Sequence, residues 1–270
     1  MMAVSILRLH FMVDRSFPLT SFSGVFVYKL ALTALARINS VLADDLHSPK
    51  PFKPIVCSGV RVGGKLLRHG AIMKPEVTYS TKIALLDDVA FKALLKSIFS
   101  KMSVRIPAAN VFISSAEVEV KNLQSLIGES DLRIKKFRVD FLSPTQLGKA
   151  VQIKDTKPIF RLFPDPSSLF RNLARYWNAF SREKIDVEKL VFWIENRVHE
   201  CAYSLRTVPV VLGESRRTIG FMGYCEYEIR DYEQEEIKWL LTLLKFSKYA
   251  GVGKHRALGM GEVDIKYLEI

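Results

Sequence analysis

At 270 residues, with 49% hydrophobic and 25% charged residues, the chain has a globular composition, which excludes a disordered chain and leaves room for one large domain or two small ones. Lys and Arg outnumber Asp and Glu by 40 to 28, a formal charge of +12 that attracts polyanions and makes nucleic acid the first partner to consider, beside the plainer reading of a basic but inert surface. Three widely spaced cysteines, Cys57, Cys201 and Cys225, argue against a disulfide framework. With no leader pattern and no apolar run near 18 residues, the expectation is a cytoplasmic protein with no membrane partner.

In chain order, "VSILRLHFMV" alternates, with Leu7, Leu9, Phe11 and Val13 on one side and Arg8 and His10 on the other, so a half-buried strand is expected. "SFSGVFVYKLALTALARINSVL" carries Val25, Tyr28, Leu32, Leu35, Ile38 and Leu42 at helical spacing. Ser21 or Ser23 is placed to cap it, and the three prolines of "HSPKPFKP" stop it near Leu46. β-prone pieces follow around 55–62, 66–72 and 76–85, then a helix over 87–100 and a strand over 110–121. "NLQSLIGESDLR", residues 122–133, reads as a linker.

The pattern then restarts. "IKKFRVDFLSP" reads as a strand, "PSSLFRNLARYWNAF" and "DVEKLVFWIENRV" as helices, and "AYSLRTVPVVL" and "RTIGFMGYCEYEI" as strands. "EQEEIKWLLTLLKFSKYA" is a helix with an Ile237, Leu240, Leu241 and Leu244 stripe and with charges that suit the helix macrodipole. "EVDIKYLEI" alternates as a closing strand. Two successive β-α-β-β-α-β runs predict an α+β protein of two tandem ferredoxin-like (RRM-like) domains, 1–124 and 130–270, the second with a C-terminal glycine-rich loop.

That loop, "AGVGKHRALGMGEVDI", joins a helix to a strand, the reverse of a dinucleotide-binding turn, and Arg256 stands where a third glycine belongs. "GVRVGGKL" has the spacing of a phosphate-binding loop, but Leu66 replaces the metal-binding hydroxyl, so it reads as a hairpin turn. Gly251, Gly253, Gly259 and Gly261 let backbone amides approach an anion, while Lys254 and Arg256 add charge; a flexible turn with solvated cations is the plainer reading.

This loop after an amphipathic helix resembles the C-terminal signature of the CRISPR-associated repeat-processing endoribonucleases, within the repeat-associated RNA-binding superfamily of ferredoxin-like folds. "FSGVFVYKLALTAL", "LHSPKPFKPIVCS", "FLSPTQL" and "RRTIGFMGYCEYEI" extend the resemblance over most of the chain. It implies a ribonuclease that needs no metal or other cofactor and cuts the CRISPR precursor transcript within each repeat, by 2′-OH attack leaving a 2′,3′-cyclic phosphate. It also implies a CRISPR repeat RNA partner and other subunits of an interference complex. A non-catalytic RNA-binding subunit is the alternative.

Such chemistry needs a base, an acid and a nearby cation rather than a carboxylate cluster. His47 is the first choice among five histidines: it ends a helix, where the dipole favours its protonated form, and lies near Lys50 and Lys53. A simple C-capping role is its rival. By resemblance Tyr28 takes the place of a catalytic helix tyrosine and Lys53, with Lys50 as the alternative, that of a catalytic lysine; core packing is the rival for Tyr28. His255 is a second candidate catalyst or an RNA-stacking residue, His10 borders the expected cleft, and His69 and His199 are expected to be structural. Expected RNA contacts are Gly251, Gly253, Lys254, His255, Arg256, Gly259, Gly261 and Lys50, with Lys135, Lys136, Arg138, Arg216 and Arg217 as further cations, along a groove between the two domains.

Overall fold

The alternating run at the start of the chain becomes β1 (Ala3–Val13), with Leu7, Leu9, Phe11 and Val13 buried on one side and Arg8 and His10 half exposed on the other. The computed structural model describes residues 3–127, 134–148, 160–230 and 234–268. After β1 come β2 (Phe17–Pro18), α1 (Ser23–Ala36), α2 (Ser40–His47), β3 (Ile55–Cys57), β4 (Arg61–Val62), β5 (Lys65–Leu66), β6 (Ile72–Met73), β7 (Tyr79–Leu85), α3 (Asp88–Lys101), β8 (Ser103–Arg105) and β9 (Asn110–Asn122). Their sheet runs β5-β4-β7-β1-β9-β8, with β3 also on β7, and its pairings are antiparallel.

The second half holds β10 (Lys136–Thr145), β11 (Leu147–Gly148), β12 (Phe160–Arg161), α4 (Pro166–Phe180), α5 (Val187–Arg197), β13 (Val198–Val211), β14 (Arg217–Ile229), α6 (Gln234–Ala250) and β15 (Val263–Leu268). Its antiparallel sheet runs β13-β14-β10-β15. The chain is thus an α+β protein built on two antiparallel sheets with helices. No helix among the described residues is long and apolar enough to cross a membrane.

Several boundaries differ from expectation. The helix expected to run to Leu46 is two helices: α1 ends at Ala36 and Asn39 caps α2, its side chain accepting from the Leu42 amide at 3.0 Å. An asparagine in "RINS" competes for backbone hydrogen bonds and favours a cap over a helix interior. Neither Ser21 nor Ser23 caps α1. Ser23 Oγ instead donates to the Leu67 carbonyl at 2.6 Å and accepts from the Val60 amide at 3.0 Å, tying α1 to the β4–β5 hairpin. That hairpin turns on Gly63 and Gly64, both at positive φ, as the sequence implies. The β-prone stretches 55–62 and 66–72 form only short ladders, and α5 passes into β13 at Val198 without a loop. Of the expected linker, residues 123–126 form a 3-10 turn with Leu123 and Leu126 buried; residues 128–133 lie outside the described residues.

The halves share their cores. Val4, Ile6, Val56 and Ala84 leave one face of the first sheet to pack with Leu240, Leu243 and Leu244 of α6. In return Ala257, from the loop before β15, sits in the first core, and Met260 packs with Phe22, Val25, Val210 and Leu212. α1 is therefore buried on nearly every side, between the first sheet and the C-terminal loop.

Candidate active site

Where the halves meet, a cleft of about 750 Å³ opens. Tyr28 of α1, His47 at the end of α2, and Lys50 and Lys53 of the following loop line it from the first half; Asn172 and Tyr176 of α4, Arg216 and residues 253–258 line it from the second. The expected catalytic residues and the cations of the glycine loop are thus brought to one place. Gly251, Gly259 and Gly261 do not line the cleft; they are buried behind it.

His47 is exposed and, among the described residues, its imidazole makes no hydrogen bond or ion pair; its ring lies over that of Tyr28, centroids 6.2 Å apart and planes 25° from parallel. Beneath it, Lys53 Nζ donates to the carbonyls of Leu46 and His47, both at 2.7 Å, and to Tyr28 Oη at 3.1 Å. An ammonium has three protons, so Lys53 is fully engaged, capping the carbonyl end of α2 where a cation is favoured. Partial burial lowers its pKa, helped by the Lys50 charge and opposed by Asp45. Tyr28, 5% exposed, donates from its hydroxyl to the Leu46 carbonyl at 3.1 Å, and burial raises that hydroxyl to about 12, with Cys57 adding to the shift. Lys50 is held by Asp45 at 2.7 Å rather than standing free.

The glycine loop differs from the expectation in its physics. The amides of Gly251, Gly253 and Gly261 donate to Ser247 O (2.8 Å), Asn172 Oδ1 (2.7 Å) and Pro144 O (3.0 Å), and that of Gly259 to Arg256 O (3.1 Å). These amides are engaged inside the protein, so the idea that they grip a phosphate is corrected. What the glycines allow is close approach. A Cβ on Gly24 of α1 would lie 2.4 Å from Gly259 Cα, and one on Gly261, at φ 78°, would lie 1.8 Å from Val252 O. α1 and the loop can touch only because neither carries a side chain there.

Arg256 also departs from its expected role. It is 7% exposed, with its guanidinium carbon 4.1 Å from the centre of the Tyr176 ring and Nη2 donating to Asn172 Oδ1. Burial lowers its pKa to about 10, with Tyr176 partly opposing. It therefore clasps α4 to the loop instead of reaching outward. Lys254 lies over the Phe160 ring, Nζ 4.6 Å from its centre, and burial lowers its pKa. His255 adopts the left-handed conformation, φ 61°, and its Nδ1 lies 3.3 Å from Arg216 Nη2. Burial first, then the Arg216 and Lys254 charges, push its pKa down to about 4, so the ring is neutral near pH 7.

Among the remaining expected residues, none lines the cleft except Arg216. His10 sits half exposed on β1, His69 is exposed, and His199 lies 3.8 Å from Glu228. Arg138 is pinned to the second sheet by Asp140 (2.7 Å) and Tyr224 (3.6 Å), Lys136 sits 3.9 Å from Glu228, and Lys135 and Arg217 are exposed. Asp87 caps α3 and Asp45 binds Lys50. Among the described residues, no group of three or more His, Cys, Asp or Glu is placed to hold a metal ion. The residues missed in the sequence are Asn172 and Tyr176. The signal was there: they lie four apart, polar groups on a helix that buries Leu169, Phe170, Leu173 and Trp177.

A family model described as CRISPR-associated endoribonuclease Cas6 matches residues 139–263. CRISPR-associated endoribonuclease Cas6 2 of Saccharolobus solfataricus is 25% identical over 257 residues, covering 85% of each chain. A Cas6 product complex superposes with a TM-score of 0.79 at 18% identity, over 98% of this chain and 99% of that one. Thermus thermophilus Cas6 does so with a TM-score of 0.71 at 19% identity, over 98% of each.

Proposed function

Because the chain belongs to the Cas6 family of CRISPR-associated endoribonucleases, which process precursor CRISPR RNA, we propose that it cuts the repeat in the cleft between its halves without a metal. The ribose 2′-oxygen attacks the adjacent phosphorus, the 5′-oxygen leaves, and the products carry a 2′,3′-cyclic phosphate and a 5′-hydroxyl. The observation that carries this reading is His47: an exposed imidazole, free of hydrogen bonds among the described residues, on the same cleft as the loop cations. An exposed imidazole on the cleft can give a proton to an RNA oxygen or take one from it.

In this reading His47 is the acid–base residue, and Lys53 and Tyr28 form its platform. With all three of its protons on protein acceptors, Lys53 contributes charge and fixes the end of α2 rather than donating a hydrogen bond to phosphate. The Tyr28 hydroxyl, raised to about 12 and directed at Leu46, is a poor proton donor and a support for the His47 ring. His255, neutral and half buried, is better suited to stacking on a base than to acid catalysis. Arg216, Lys254 and Lys50 supply the positive lining for the RNA strand.

The same reading takes the fold as two ferredoxin-like units, 1–124 and 130–270, with the glycine loop closing the second. In support, each half sets its first strand between two later strands of its sheet, β1 between β7 and β9 and β10 between β14 and β15. The family favours catalysis over a non-catalytic RNA-binding subunit. The test is cleavage of a CRISPR repeat RNA in chelator by the native protein and by His47→Ala. The native protein is expected to yield 2′,3′-cyclic phosphate ends and the variant to lose at least about a hundredfold in rate. Undiminished cutting by the variant removes His47 from the chemistry, and dependence on added metal removes the mechanism.

A further inference from the structure

We propose that Tyr176 is a positioning residue that locks the His47 platform to the glycine loop across the seam between the halves. This rests on the reading of His47 as the acid–base residue. Tyr176 stands on α4, in the second half, and is 2% exposed. Its hydroxyl donates to the backbone carbonyl of Lys53, in the first half, at 2.7 Å. Lys53 in turn holds the carbonyls of Leu46 and His47 through its ammonium group. The other face of the arrangement belongs to the loop: the Arg256 guanidinium lies on the Tyr176 ring, and Asn172 Oδ1 accepts from both Arg256 and the Gly253 amide.

Among the described residues the contacts form one continuous series from residue 253 to residue 47, and Tyr176 carries it across the seam. The ring is also fixed from its sides, by Phe52 at 5.8 Å, Phe180 at 5.1 Å and Phe246 at 5.9 Å between centroids. These contacts hold the ring in place, and the Lys53 carbonyl is the acceptor that meets its O–H. Burial raises its pKa, so it stays a neutral donor across the working pH range, with Arg256 opposing the shift only in part. Lys53 lies between Pro51 and Pro54 in a proline-stiffened loop, and its main chain is anchored by this bond from outside its own half. The role predicted is geometric: without the bond the Lys53 backbone is free to shift and His47 is held less well over the scissile phosphate, which is the kind of displacement that lowers rate more than affinity.

Tyr176→Phe removes one oxygen and keeps the ring, so the full-length variant is measured beside the native protein and His47→Ala. The readouts are the single-turnover cleavage rate at saturating enzyme, the Kd for uncut repeat RNA, and the NMR signal of the His47 Cε1–H in the RNA-free protein. Expected for Tyr176→Phe are a rate lowered about tenfold, a Kd within about twofold, and a moved His47 signal. Asn172→Ala, at the loop end of the series, is expected to give the same split to a smaller degree, and carries the test if the phenylalanine variant does not fold. An unchanged saturating rate and His47 signal, with His47→Ala inactive, overturns the proposal while leaving the catalytic reading in place. A loss of stability or RNA affinity alone, with the saturating rate retained, overturns it too, because that is what a purely structural tyrosine would show. Full activity in His47→Ala strikes the reading beneath it instead.

Discussion

Replacing Gly261 by alanine separates two accounts of the glycine loop. Gly261 sits at φ 78°, and its added Cβ would lie 1.8 Å from Val252 O. The neighbouring main chain cannot yield readily: Val252 N donates to Gly261 O at 2.8 Å and Gly261 N to Pro144 O at 3.0 Å. Placing a side chain in the left-handed region costs about 1–2 kcal/mol. Forcing extra volume into packed backbone costs about 1–3 kcal/mol more. The sum, roughly 2–5 kcal/mol, corresponds to a midpoint lowered by roughly 4–20 °C in a chain of this size. Thermal unfolding followed by circular dichroism measures it, with repeat-RNA affinity determined well below the transition. The packing account expects a large fall in midpoint and near-native affinity in the protein that remains folded. An unchanged midpoint with lost RNA binding would refute it, and would return the Gly261 amide to the role of an RNA ligand.

Two further outcomes follow from the cleft. The folded pKa of His255, about 4, lies below its ordinary value of 6.5, so the unfolded chain takes up this proton first. The contribution of a neutral His255 is fully present above about pH 6.5 and is lost as pH falls toward 4; His255→Asn, which tolerates the left-handed backbone, should flatten the stability–pH curve in that window, as read by urea unfolding at several pH values. An unaltered curve contradicts the assignment. Arg256→Lys keeps the charge but loses the planar stack on Tyr176 and the Asn172 bond, and should destabilise by roughly 2–4 kcal/mol in the same assay. A loss below half a kcal/mol would show that the clasp is dispensable.

What the sequence alone could determine was local. Period-2 runs marked β1 and β15, a 3.6-residue stripe marked α6, and paired glycines marked the β4–β5 turn, because each of these patterns is written within a dozen neighbouring residues. The place of His47, at a helix end beside a proline-stiffened loop, was legible for a related reason: both marks lie within a few residues of it. The helix break at Asn39 was written there too, in a capping residue, but the apolar spacing through Ile38 and Leu42 masked it.

Only the tertiary structure decided what the loop residues do. Gly24 and Gly259 have to be small because they meet each other, and nothing near either one in the chain records that meeting. Arg256 read as a free cation because its partners, Asn172 and Tyr176, lie on a distant helix that reaches it only after the halves pack. Lys53 likewise carries its charge inward because the end of α2 presents two carbonyls within reach of its side chain. Burial, close backbone approach and the saturation of hydrogen bonds are properties of pairs far apart along the chain, and a single sequence read locally specifies one member of such a pair without the other.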